Sequence, residues 1–154
     1  MQHNELKIYL LNRPNLGKFK KILEENPNHN VSMNSNELLR SAVFFGKYQF
    51  VREIVKHPKI DIYNLISNNE PIGEIAIRKG FIKTLKELIN CKDTNCNHIS
   101  KYISYSFKHK EIEILKYLLD LRKHRFKNAV IRNFAIRLAC YDLELMEIML
   151  DNIV

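Results

Sequence analysis

The stretch "CKDTNCNH" brings Cys91, Cys96 and His98 within eight residues. Thiolates and imidazole are good zinc ligands. The spacing is C-x4-C-x-H rather than the paired C-x2-C, and no fourth ligand lies close in sequence, His109 being remote. A Cys91–Cys96 disulfide is the other chemistry open to the pair. The chain holds only three cysteines, and its first residues lack the long apolar run of a secretory signal. Both features fit a reducing compartment. The simpler reading is a polar loop between helices with one half-buried thiol, and no metal or other cofactor is expected. Cys140 falls inside an apolar helical pattern, where a small buried thiol is the ordinary outcome.

A second concentration is "LRKHRFKN", which gathers Arg122, Lys123, Arg125 and Lys127 around His124 and Phe126 in what reads as one loop. Basic groups interleaved with an aromatic ring can grip phosphates and stack a base. Cations at a helix C-terminus also complement the helix dipole, which accounts for the cluster without a ligand. No motif that reads RNA or DNA accompanies it.

Catalysis finds little support. There is no phosphate-binding glycine loop, dinucleotide fingerprint or nucleophile elbow. Carboxylates such as Glu24 and Glu25, Glu111 and Glu113, or Glu144 and Glu147 stand beside lysines. That placement predicts solvated helix faces with i, i+4 pairing rather than acid–base pairs. The six histidines show no metal spacing. A non-enzyme is expected.

The elements that must carry these residues are helical. Gly and Pro number four each, no low-complexity linker divides the chain, and period-2 alternation is confined to "KIDIY". Helical spacing of apolar residues runs throughout. An apolar-x-x-apolar-apolar group recurs as Phe19, Ile22, Leu23; Val51, Ile54, Val55; Leu85, Leu88, Ile89; Leu115, Leu118, Leu119; and Met146, Met149, Leu150. Successive copies start 30 to 34 residues apart, a period that marks stacked repeats. A shorter helical pattern precedes each copy. Gly46 and Gly80 end two of these, each one turn after a small residue, Ala42 or Ala76. The small side chain allows close helix approach, and the glycine takes a left-handed turn without steric cost. Pro27 and Pro58 terminate second helices, and Asn15 is a suitable N-cap. The spacing predicts one domain, 1–154, of five helix–turn–helix units, at roughly 4–33, 34–63, 64–97, 98–128 and 129–154.

Two of these units resemble ankyrin repeats. "SAVFFGKYQFVREIVKHPKIDI" is similar to that family's run of paired small residues, turn glycine, apolar second helix and aspartate-led loop. "EPIGEIAIRKGFIKTLKELI" repeats it, with an echo of the family's Thr-Pro-Leu-His motif at Pro71 that carries one extra residue. "AIRLACYDLELMEIML" looks like a unit shortened at its turn. No unit holds the full motif; Lys110 and Pro14 fall where two of the turn glycines belong. The resemblance implies an all-α, ankyrin-like solenoid with short or degenerate β-hairpin loops, in the style of divergent ankyrin proteins of large DNA viruses and amoebae. It further implies a protein-binding scaffold without a general active site, working in a cytoplasm, a host cell's included.

The surface expected to bind is the concave face of the first helices and the loop tips. By helical phase it includes Phe44, Phe45, Arg78, Lys79, Tyr105, Lys108 and Arg137. Two adjacent phenylalanines cannot both enter one narrow apolar stripe; the alternative is that both pack between neighbouring repeats. Exposed aromatics make interface anchors. The net charge of +8 favours acidic partners. The rival is a basic nucleic-acid-binding helical protein using Arg122, Lys123, Arg125 and Lys127. No run approaches the roughly 18 apolar residues of a membrane span, so a soluble chain, monomeric by default, is expected.

Overall fold

In a computed structural model the chain is described at residues 2–12, 14–61, 71–91, 94, 96–125 and 147. Among these, every regular element is a helix. Helix α1 (Gln2–Lys7) runs into a π-helical turn, Ile8–Asn12. Then follow α2 (Leu16–Glu25), α3 (Met33–Phe44), α4 (Tyr48–Val55), α5 (Ile72–Arg78), α6 (Ile82–Ile89), α7 (Cys96–His109) and α8 (Ile112–Arg125). The fifth predicted unit, 129–154, lies outside the described residues apart from Glu147.

The joint between paired helices is the same three times. Gly46, Gly80 and Lys110 each stand two residues before a second helix, with φ of +64°, +68° and +55°. Four residues earlier stand Ala42, Ala76 and Ser106, all fully buried. The first and third joints close alike. Lys47 N–H donates to Ala42 O at 2.9 Å and Gly46 N–H to Val43 O at 3.0 Å. Glu111 N–H donates to Ser106 O at 3.0 Å and Lys110 N–H to Phe107 O at 3.1 Å. These bonds satisfy the last carbonyls of the first helix. Lys110 thus takes the glycine's place and the glycine's backbone. The first hairpin differs, because Pro14 cannot adopt positive φ. There the π-helical turn widens the path, and Asn15 N–H reaches Tyr9 O at 3.0 Å. Asn15 then caps α2, its Oδ1 accepting from Lys18 N–H at 2.9 Å.

Second helices bury matching positions. Phe19 and Leu23 of α2, Phe50, Val51 and Ile54 of α4, Leu85, Leu88 and Ile89 of α6, and Leu115, Leu118 and Leu119 of α8 are all buried. Ile22 and Val55 are half-buried. From each start, α6 and α8 repeat the same order of buried and exposed positions through nine residues.

Contacts group the chain into two compact units, Met1–Ala76 with Lys83–Cys91, and Ile77–Ile82 with Lys92–Val154. The first has its core in Leu6, Leu10, Phe19, Leu38, Leu39, Val43, Phe50 and Val51. Phe19 meets Phe50 edge to face at 5.0 Å. Its loops brace each other: Asp61 N–H donates to Ser32 Oγ at 2.8 Å, and Asn36 Nδ2 donates to Asp61 O at 2.7 Å. Asn36 does so at φ +63°, a backbone that asparagine tolerates. The second unit is centred on Ile99, Ile103, Phe107, Leu115, Leu118 and Leu119.

Candidate binding surface

The residue pair just ahead of each left-handed joint ends its helix at the surface. At the first joint this is Phe44 and Phe45, 43% and 56% exposed, their rings edge to face at 5.2 Å. Both phenylalanines are therefore outside, and neither is packed away between repeats. At the second joint the pair is Arg78 and Lys79, both exposed; at the third it is the exposed Lys108 with the half-buried His109. Tyr105, one turn earlier on α7, is half-buried. Arg137 lies outside the described residues.

Within the second unit the two basic joints touch. A methyl group placed on Gly80 would lie 3.3 Å from Glu111 Oε2. The α5–α6 turn therefore sits against the α7–α8 turn. Arg78, Lys79, Lys108 and Lys110, all exposed, flank these two turns, with Glu111 at their contact. Cations here also face the C-terminal dipoles of α5 and α7. Burial and the nearby Lys101 push the His98 imidazole below its ordinary value, which keeps it neutral.

The other basic cluster is not in a loop. Helix α8 extends through Arg122, Lys123, His124 and Arg125, four residues assigned to a loop by sequence. No Gly or Pro interrupts this stretch, and Lys and Arg are good helix formers, so the helix continues past its last leucine. Lys127 lies outside the described residues. Likewise α7 begins at Cys96, so Cys96 and His98 belong to a helix rather than to a connecting loop. Cys91 is a buried free thiol. Among the described residues, no three His, Cys, Asp or Glu side chains are grouped so as to hold a metal ion.

Of the carboxylates named from the sequence, Glu24 and Glu25 pair as the spacing predicts, and Glu144 lies outside the described residues. Lys20 meets Glu24 at 3.6 Å and Lys21 meets Glu25 at 3.7 Å, both i, i+4. A cleft of about 320 Å³ lies between the ends of α2 and α4, lined by Leu23, Pro27 and Pro58 and rimmed by Lys20, Glu24, Glu53 and Lys56. Lys56 and Glu53 are 3.2 Å apart. The four ions of its rim are joined in pairs, and His57 completes the lining.

Two arrangements had no local signal in sequence. Arg52 of α4 reaches Glu87 of α6 at 2.6 Å, and the Tyr48 ring lies between Arg52 at 6.0 Å and Lys83 at 5.7 Å. Three histidines, His3, His29 and His57, converge near the N-terminal helix. Arg52 and Glu87, like Tyr48 and Lys83, stand 35 residues apart, and successive histidines 26 and 28, beyond any helical or turn periodicity.

Among the described residues, no helix is long and apolar enough to cross a membrane. Comparison of the chain with family models, curated proteins and solved structures finds no match.

Proposed function

We propose that this chain is a non-enzymatic scaffold, an ankyrin-like series of stacked helical hairpins, that binds an acidic partner protein. One observation carries the reading. The joint is constant, with a small buried residue and a left-handed turn, while the pair ahead of it changes from Phe44–Phe45 to Arg78–Lys79 to Lys108–His109. A fixed frame holding variable side chains is the arrangement of a recognition surface, because rigid positions lose little entropy on binding. The aromatic pair supplies an anchor and the basic seam supplies charge selection. A compact basic seam with no reading motif favours an acidic protein over nucleic acid.

The test uses the intact chain as bait in an extract of its own source cells, with mass spectrometry of what is retained. A partner with an acidic contact segment is expected. It should be lost when Phe44→Ala, Arg78→Glu and Lys108→Glu are combined in a chain that keeps its helical circular dichroism. Retention by that folded variant would overturn the assigned surface. Capture of nucleic acid in place of protein, abolished by salt, would overturn the partner class.

A further inference from the structure

His3 sits on α1 only 6% exposed, and neither of its ring nitrogens has a hydrogen-bond partner. Its ring lies 5.8 Å from that of His29, tilted by 44°. The Nε2 of His29 is likewise buried without a partner. His57, also 6% exposed, uses both nitrogens: Nδ1 accepts from Lys59 N–H at 3.2 Å, and Nε2 lies 3.3 Å from Asn26 O. In that pattern Nδ1 accepts and Nε2 donates.

The charged groups around the cluster come from three sides. Helix α1 brings His3 and Lys7, α3 brings Glu37, and the segment after α4 brings His57. Glu37 lies 3.5 Å from His3 Nε2, yet it is already engaged by Lys7 and, at 3.3 Å, by Asn34 Nδ2. One carboxylate therefore serves Lys7, Asn34 and the edge of the His3 ring.

We propose that His29, packed against His3 and close to His57, is an acid-sensitive latch: neutral, it holds α1 and its own segment together; protonated, it releases α1. A proton on His29 would sit in a partly buried site beside the His3 ring, and its buried Nε2 has no acceptor waiting for it. Burial first, then His3, His57 and the amino terminus, hold the His29 imidazole below its ordinary value. The unfolded chain consequently takes up this proton first as the pH falls. The latch is fully effective at neutral pH and above, and it weakens as pH drops below the ordinary imidazole value of about 6.5.

The test is amide hydrogen exchange of the intact chain, read by mass spectrometry at about pH 7.5 and about pH 5.5, on either side of the imidazole range, with rates corrected for intrinsic pH dependence. At the lower pH the peptide spanning 2–12 should lose up to about tenfold of its protection, the most that one imidazole protonated only in the opened state can give one pH unit below its ordinary value, while 82–89 keeps its own. In the His3→Gln, His29→Gln double variant, which keeps amide hydrogen bonding but takes up no proton at these sites, that loss should vanish. Equal wild-type protection at both pH values overturns the latch. So does a loss shared equally by 82–89, or an unchanged acid response in the double variant. If circular dichroism shows that the double variant does not fold, proton NMR titration of the wild-type histidines decides. A His29 ring titrating below the ordinary value supports the latch, and one at or above it overturns it.

Discussion

Lys110 holds φ of +55° at a position where the two neighbouring joints place glycine. A β-carbon in this conformation is strained by about 1–2 kcal/mol. Lys110→Gly should therefore stabilise the chain by about 1 kcal/mol, seen as a higher urea midpoint with an unchanged slope. Gly80→Ala should do the opposite, by about 1–2 kcal/mol, because φ is +68° and the new methyl would press on Glu111 Oε2. Shifts of the same sign at the two sites would refute the shared-joint account. At this scale the sequence was most legible where the cause is local. Asn15 as a cap and Ala42 and Ala76 as small partners of the turn glycines all stand within four residues of what they act on. The histidine cluster was not legible, because His3, His29 and His57 meet only after three segments far apart in sequence have packed.

At the scale of elements, the recurring apolar group names the buried face of every described second helix. Leu88 and Leu118 occupy matching positions and are fully buried. Truncation of either to alanine should cost about 2–5 kcal/mol by chemical denaturation, from lost burial and the cavity left behind. Lys86 and Lys116, exposed at matching positions two residues earlier, should tolerate alanine with shifts within about 0.5 kcal/mol. Element ends were harder to read. The run of charges after Leu121 looks like a loop by polarity, yet α8 continues to Arg125, since polarity alone does not stop a helix whose residues favour it. The link from Arg52 to Glu87 also escaped notice, for its two ends lie on different hairpins.

At the scale of the molecule, the period of 30 to 34 residues and the all-helical character of the described residues are visible in the sequence. Apolar spacing is itself the physical cause of helix burial. What the surface binds is not visible in that way, because exposed positions are unconstrained by the core. The proposal of an acidic partner has a consequence for ionic strength. With +8 net charge and a basic seam at Arg78, Lys79, Lys108 and Lys110, association should slow as salt rises, while dissociation changes less. Rates measured by surface plasmon resonance at about 0.05 M and about 0.5 M salt should separate the two; a salt-independent association rate would refute charge steering.

The repeated joint also makes the hairpins exchangeable parts. The bend at Gly46, Gly80 and Lys110 keeps the same backbone and a buried small residue while the two side chains that precede it change. The joint therefore accommodates an aromatic pair or a basic one over a common frame. The fold thus offers an engineer a set of sockets of common shape, in which a new specificity is installed two residues at a time.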